Sequence, residues 1–192
     1  MSKMYFAENP DANHDIHELK VELLGESMTF LTDAGVFSKK MIDYGSRVLL
    51  SALEFNKKET LLDVGCGYGT LGLTLAKAQG LEVTLVDINQ RALDLARKNA
   101  DANQVSADIF QSNVYEHVTG QFHHIISNPP IRAGKQVVHE VISGSYDHLL
   151  ADGDLTIVIQ KKQGAPSAKA KMEEVFGNCE TLKKDKGYYI LR

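Results

Sequence analysis

The chain has 192 residues, 43% hydrophobic and 24% charged, with a net charge of −4, which suits one soluble globular domain with a substantial core. No apolar run reaches the length of a membrane span. The N-terminal MSKMYFAENPDANHD lacks the apolar centre of a signal peptide, and the negative balance leaves any nucleic-acid contact to a local basic patch. The only two cysteines, Cys66 and Cys179, make no disulfide framework and point to a reducing cytoplasm.

Residues 1 to about 18 are polar and mixed in charge, with Met4-Tyr-Phe6 placed to pack on the domain. His14 and His17 have H-x-x-H spacing, but no further ligand cluster accompanies them and no metal is expected. Lys20–Leu24 and Met28–Thr32 read as a small hairpin around Gly25. In Gly35-Val-Phe-Ser38, Ser38 is a plausible N-cap for a helix from about Lys39 to Glu54, with Met41, Ile42, Val48, Leu49, Ala52 and Leu53 on its buried face. This front section, residues 1–55, reads as an extension of a single domain whose core runs from 56 to 192.

The core opens with Leu61 to Gly72, LLDVGCGYGTLG: an apolar run ending in Asp63, then Gly65, Gly67, Gly69 and Gly72, then a helix pattern to Gln79. Strand, glycine turn and helix form the first unit of a nucleotide-binding α/β domain. Glycines there allow positive φ and close backbone approach to a ligand at the helix N-terminus. Gly67-Tyr-Gly69-Thr-Leu-Gly72 matches the dinucleotide fingerprint, but Asp63 before the glycines would repel a pyrophosphate and suits an amine-bearing ligand. Cys66 reads as small-residue filling.

Glu82–Val86 is a second strand, ending in Asp87 and Ile88, and Gln90–Ala102 a helix. Asp87 is placed to accept from ribose hydroxyls; the alternative is a cap for that helix, a job Asn89 can do instead. Ala107–Gln111 is a third strand, followed by Asn113, whose amide can both accept and donate. His124–Ser127 is a fourth strand, ending in Asn128-Pro129-Pro130-Ile131. The prolines lock φ and supply no N–H, so a side-chain amide and stiff carbonyls stand at the sheet edge where α/β folds bind ligands. His123 and His124 read as structural. Val137–Leu150 is a helix with Val138, Val141, Ile142, Tyr146 and Leu149 on one face, and Leu155–Ile159 an apolar strand. A basic loop, Lys161 to Pro166, a helix from Ala168 to Phe176 and a hairpin around Asp185-Lys-Gly187 complete the chain.

The D-x-G-x-G-x-G run at Asp63 to Gly69 resembles the first motif of class I S-adenosylmethionine-dependent methyltransferases. Asn128-Pro-Pro resembles the motif of enzymes that methylate exocyclic amines of adenine, guanine or glutamine. Gly35-Val-Phe-Ser38, Asn128 to Lys135 and Lys161-Lys-Gln-Gly164 together resemble the small-domain methyltransferases related to the bacterial small-subunit ribosomal RNA guanine-N2 enzyme, over roughly Lys20 to Arg192. The resemblance implies an α/β fold, with a seven-stranded Rossmann-like sheet, mostly parallel, an antiparallel C-terminal hairpin and helices on both faces. It implies S-adenosyl-L-methionine as cofactor, held by Asp63, Gly65, Cys66, Gly67, Gly69, Asp87, Ile88, Asn113 and Asn128. It also implies transfer to an amine at Asn128, Pro129, Pro130 and Ile131, without a metal.

Asn128 and the Pro129 carbonyl would take the amine's hydrogens, and no charged base is needed because the proton becomes acidic only after methylation. Many base-modifying relatives carry an aromatic ring after the two prolines; here it is Ile131, and Phe37 could supply an apolar face instead. Arg132, Lys135, Lys161 and Lys162 are candidates for phosphate contacts, which makes RNA, ribosomal RNA or the small ribosomal subunit, the expected partner. Adenine-N6 or protein-glutamine transfer would share every motif. A dinucleotide reductase would share the glycines but leave Asn128-Pro-Pro unexplained. A non-catalytic cofactor-binding protein is the remaining alternative.

Overall fold

A computed structural model describes residues 5–192; Met4, expected to pack on the domain, lies outside the described residues. The elements run β1 (His17–Leu23), β2 (Glu26–Thr32), α1 (Tyr44–Ala52), β3 (Thr60–Val64), α2 (Thr70–Gln79), β4 (Glu82–Asp87), α3 (Gln90–Ala102), β5 (Ala107–Gln111) and β6 (Phe122–Ser127). They continue with α4 (Lys135–Ser145), β7 (Leu149–Gln160), α5 (Ala165–Phe176), β8 (Thr181–Asp185) and β9 (Tyr188–Leu191). Seven strands form one sheet in the order β5-β4-β3-β6-β7-β9-β8. β3 to β7 pair in parallel, and β9 is antiparallel to both β7 and β8.

Strand alternation explains why both faces are covered. Leu61, Val83, Leu85, Ile126 and Val158 pack with apolar residues of α1, α2 and α3. Leu62, Val64, Val86, Ile125 and Ile157 pack with those of α4 and α5 on the other face. The order also fixes where a ligand can lie. From β3 the chain winds outward through β4 and β5, then returns to β6 on the opposite side of β3. The carboxyl ends of β3 and β6 therefore flank the point where the winding reverses, and the crevice opens there.

The front hairpin turns at Leu24 (φ 50°) and Gly25 (φ 77°), two positive-φ residues as a tight two-residue turn requires. Met28 and Phe30 sink into the core beneath it. The outer edge of β2 is closed by a helix rather than a strand. Asn99 on α3 accepts from Leu31 N (2.7 Å) and donates to Leu31 O (3.0 Å), and Asn103, one turn on, makes the same pair with Thr29. Both asparagines are buried, so their amides and the strand's backbone satisfy each other.

Several boundaries differ from the sequence reading. Ser38 is not the N-cap of α1: it sits at φ 58° in a turn, and the helix starts six residues later. Asp43 caps it, its carboxylate accepting from Ser46 N at 3.1 Å. Met41 therefore lies outside the helix and is 68% exposed. The helix expected to reach Leu150 ends at Ser145; a 3-10 turn follows, which rotates Tyr146 out to 60% exposure and hands Leu149 to β7. β7 is correspondingly longer than the apolar run Leu155–Ile159. α5 begins at Ala165, with Pro166 in the first turn where its missing N–H costs nothing.

His123 and His124 lie at the amino ends of the strands, away from the crevice. His124 stacks on Phe55 (centroids 3.9 Å apart) and bridges Glu59 (2.7 Å) and Asp154 (2.9 Å). Burial alone would lower the imidazole, but its hydrogen bonds to Asp154 and Glu59 outweigh that and raise it. The same bond, with help from Asn56, holds Glu59 down to about 2. What His124 contributes to stability is complete below its ordinary 6.5 and is lost as pH rises through the raised value. What Glu59 contributes is present above its ordinary 4.5 and is lost as pH falls toward 2. The thermal midpoint of the wild type should exceed that of His124→Leu most between about pH 4.5 and 6.5. The gap should shrink at higher pH, as differential scanning fluorimetry across pH 4–9 would record.

Candidate active site

The crevice at the winding reversal is a cavity of about 510 Å³, within the range of small-molecule sites. One wall is the glycine loop. Gly65 (φ 74°) and Gly67 (φ 56°) both need the left-handed region, and a Cβ on either would meet nothing within 4 Å, so the loop backbone lies open. Gly65 N and Cys66 N both donate to Val86 O at 2.9 Å, tying the loop to β4. Asp87 completes the tie: its carboxylate accepts from Gly67 N and Asn89 N, each at 2.8 Å. Burial raises its pKa against these N–H contacts. Asn89, not Asp87, caps α3, accepting from Ala92 N at 3.1 Å. Asp87, half-buried and lining the cavity beside Ile88, keeps lone pairs for a ligand's hydroxyls.

Gly72 serves packing instead. A Cβ there would lie 2.9 Å from Leu85 and 3.2 Å from Asp63, so only glycine lets α2 settle this close to the sheet. Asp63 does not line the cavity. Alternation turns it with Leu61 toward α2, where it is fully buried and accepts from Gly72 N at 3.0 Å. Its second oxygen has no partner, and burial and the charge of Asp87 push the carboxyl up to about 7. It supports the loop from beneath rather than facing the ligand expected from the sequence. Gly69 also lies behind the lining, at the N-cap of α2. Cys66 lines the cavity, and burial holds its thiol protonated well above the ordinary range.

The opposite wall is the end of β6. Ser127 donates to Val64 O at 2.7 Å, holding β6 against β3 just before Asn128-Pro129-Pro130. Asn128 is half-buried, and its Nδ2 donates to Asp43 (3.0 Å) and to Ser46 Oγ (3.1 Å). A carboxylate only accepts, so this contact fixes which way the amide faces. The Asn128 oxygen has no hydrogen-bond partner among the described residues and is the acceptor left at the cavity. Room for this comes from Gly45, where a Cβ would lie 2.9 Å from Asp43 and 2.8 Å from Tyr188.

Asn113, Pro129, Pro130, Ile131, Arg132 and Phe37 line the same cavity. Lys135, Lys161 and Lys162 do not; Lys135 is exposed at the start of α4, and Lys161 and Lys162 are exposed on the turn that follows β7. Lys161 N donates to Gly187 O at 2.9 Å, so the turn bearing Lys186 stands beside them. Sequence reasoning missed Tyr5, Phe6, Asp43, Ser46, Gln160 and Tyr188, all in the lining. Asp43 alone carried a local signal, an acid three residues before a serine at a helix start. Among the described residues no cluster of His, Cys, Asp or Glu is arranged to hold a metal, and no helix is long and apolar enough to cross a membrane.

The family model for the methyltransferase small domain matches residues 27–192. The protein YbxB of Bacillus subtilis, itself uncharacterised, is 44% identical over 100% of this chain and 98% of its own. Ribosomal RNA small subunit methyltransferase C of Erwinia tasmaniensis is 38% identical over 88% of this chain and 50% of its own, so the chain spans about half the length of that relative. Among solved structures, the T. thermophilus 16S rRNA N2 G1207 methyltransferase in complex with AdoMet and guanosine superposes with a TM-score of 0.85 at 29% identity, over 95% of this chain and 51% of its own. With its parallel sheet closed by an antiparallel pair and its glycine loop at the winding reversal, the chain belongs to the methyltransferase small domain family of S-adenosylmethionine-dependent enzymes.

Proposed function

We propose that this chain methylates the N2 amine of a guanine in ribosomal RNA. The observation that carries this reading is the Asn128 amide, whose nitrogen is occupied by Asp43 and Ser46 and whose oxygen is free at the cavity. A site built this way selects a hydrogen-bond donor, and an exocyclic amine is one. Support for guanine in ribosomal RNA comes from the T. thermophilus structure, whose description names guanosine, and from the ribosomal RNA methyltransferases that match half of their length.

The cavity fits S-adenosylmethionine: it joins an open glycine backbone, an acid with free lone pairs and the exposed amide of Asn113 along one continuous wall. When bound, the cofactor supplies a methyl group on a sulfonium. The Asp87 carboxylate would accept from its ribose hydroxyls, Ile88 would give an apolar face and Asn113 would meet the adenine amine. On the other wall, Asn128 Oδ1 and the Pro129 carbonyl hold the two hydrogens of the acceptor amine. A planar amine has its lone pair delocalised into the ring, and two acceptors out of that plane favour the pyramidal nitrogen that attacks. The stiff Pro129-Pro130 backbone keeps those acceptors in place, so orientation supplies much of the rate. A neutral acceptor suffices because the proton is released only after the nitrogen has become cationic. Arg132 in the lining, and the exposed Lys135, Lys161 and Lys162 on the segments that follow β6 and β7, would take phosphates of the strand that carries the base.

Replacing Asn128 by Ala should lower turnover by about a hundredfold while leaving S-adenosylmethionine affinity within about twofold; equal losses in both would remove its assigned role. Asp87→Ala should weaken the cofactor by about tenfold or more, the loss of charge-assisted hydrogen bonds, in isothermal titration with S-adenosylhomocysteine. Unchanged binding there would leave the acid only as the tie for the glycine loop. The direct test is transfer of labelled methyl to naked ribosomal RNA, assembled small subunits and total protein, followed by nucleoside analysis. Label in N2-methylguanosine is the expected result. Label in N6-methyladenosine, or in protein glutamine alone, would keep the cofactor and move the substrate.

A further inference from the structure

Asn128-Pro-Pro is followed by Ile131, which packs against the α4 and α5 side of the core and offers no ring. The cavity has rings elsewhere. Tyr5 and Phe37 both line it, with centroids 5.1 Å apart and planes tilted by 44°, and Phe6 braces Tyr5 edge-on at 5.3 Å. Phe37 is 39% exposed, a large apolar face left open at the cavity. The two rings come from segments with no regular structure, yet both are pinned to one buried side chain. Asn89, 1% exposed, donates from Nδ2 to Tyr5 O and to Gly35 O, each at 2.8 Å. Gln90 N donates to Glu8 O at 3.0 Å, and Arg91 to Ala34 O at 2.8 Å, which extends the pin along both segments. The far end of the Phe37 turn is held by the Tyr68 hydroxyl, which donates to Ser38 O at 3.0 Å.

Tyr5 lines the same cavity as Asn128, Asp43 and Arg132. Burial pushes its phenol up, Arg132 opposes that and Asp43 adds to it. Asp43 is the group that holds the Asn128 amide, and Arg132 stands just after Ile131. Tyr5 and Phe37 thus share one cavity with the Asn128 amide.

We infer that Tyr5 and Phe37 form the stacking wall for the purine base whose amine is presented to Asn128. The inference rests on the proposed function in taking that amine to belong to a nucleobase, and it assigns the front of the chain to the substrate. A base drawn out of its strand loses its stacked neighbours, and an aromatic face replaces them. Tyr5 and Phe37 supply that face from across the cavity, in place of a ring after the prolines.

The chain contains no tryptophan, so Tyr5→Trp introduces a single fluorophore at the wall. Its emission should stay near that of the free protein when S-adenosylhomocysteine is added, and should fall saturably when GMP, or a short guanine-containing RNA, is added to that complex. Tyr5→Ala should raise KM for RNA by about tenfold, the range for loss of one base–aromatic stack, with cofactor affinity and thermal midpoint within error of the wild type. Quenching by S-adenosylhomocysteine alone, with cofactor affinity lost in Tyr5→Ala, would overturn the inference by making Tyr5 part of the cofactor wall. No quenching by GMP or RNA, while the wild-type enzyme methylates RNA, would overturn it and leave the proposed function standing. No quenching together with label in protein alone would overturn both.

Discussion

Gly67 gives its backbone N–H to the Asp87 carboxylate, and much of the site depends on that bond. The loop has positive φ at three successive glycines, and besides the packed Cys66 and Tyr68 side chains its backbone needs partners. What holds it is the neighbouring strand: Val86 O takes two of its N–H groups, Asp87 takes a third, and the other Asp87 oxygen takes Asn89 N. Asn89 then spends its amide on α3 and on both segments that bring Tyr5 and Phe37 to the cavity. One turn at the end of β4 therefore sets the cofactor loop, the start of a helix and the aromatic wall together. The arrangement is rigid because Val86 and Asn89 are buried and Gly67 and Asp87 half-buried, where an unpaired polar group would be costly.

The same economy appears on the front hairpin, where Asn99 and Asn103 stand in for a missing strand along β2. Asn99 also donates to Tyr68 O in the glycine loop at 2.8 Å. The hairpin is thus coupled to the ligand loop through a single side chain. A front section joined this way carries part of the site's geometry, and its removal would leave buried amides on α3 without partners.

The strand–glycine–helix unit, α3 and β5 were legible because local pattern and tertiary structure agree there. Gln90–Ala102 and Ala107–Gln111 carry clean periodicity, and each is followed by a polar residue, Asn103 and Ser112. Asp63 shows where a local reading stops. An acid at a strand end looks aimed at a ligand, but the residue that ends β3 is Val64, and the period of two sends Asp63 under α2. Ser38 and Asp43 are both capping types, and what chose between them was distant: Tyr68 holds the Ser38 carbonyl, and Asn128 engages the Asp43 carboxylate. β7 hid its first half because Leu149-Leu-Ala-Asp-Gly-Asp154 reads as a turn; Asp152 indeed sits at φ 65°, inside a strand whose pairing to β6 shifts register nearby. Tyr5 gave a signal for packing but none for the site, since nothing within its own segment ties it to Asn89, 84 positions on.

The partnership of Asp43 with Asn128, 85 residues apart, explains how a neutral side chain serves as the acceptor in the proposed reaction. A carboxylate at position 128 would bind an amine more strongly before reaction, and binding that is equally strong in ground and transition states adds nothing to turnover. An amide alone is a weaker acceptor. With Asp43 accepting from Nδ2, the amide is polarised toward its oxygen, as hydrogen bonds in a chain strengthen one another. The charge itself sits one hydrogen bond behind the Asn128 amide, on a residue that also lines the cavity and caps α1. The helix that the front section contributes is in this way fixed by the same carboxylate that orients the transfer site, and the two cannot move independently.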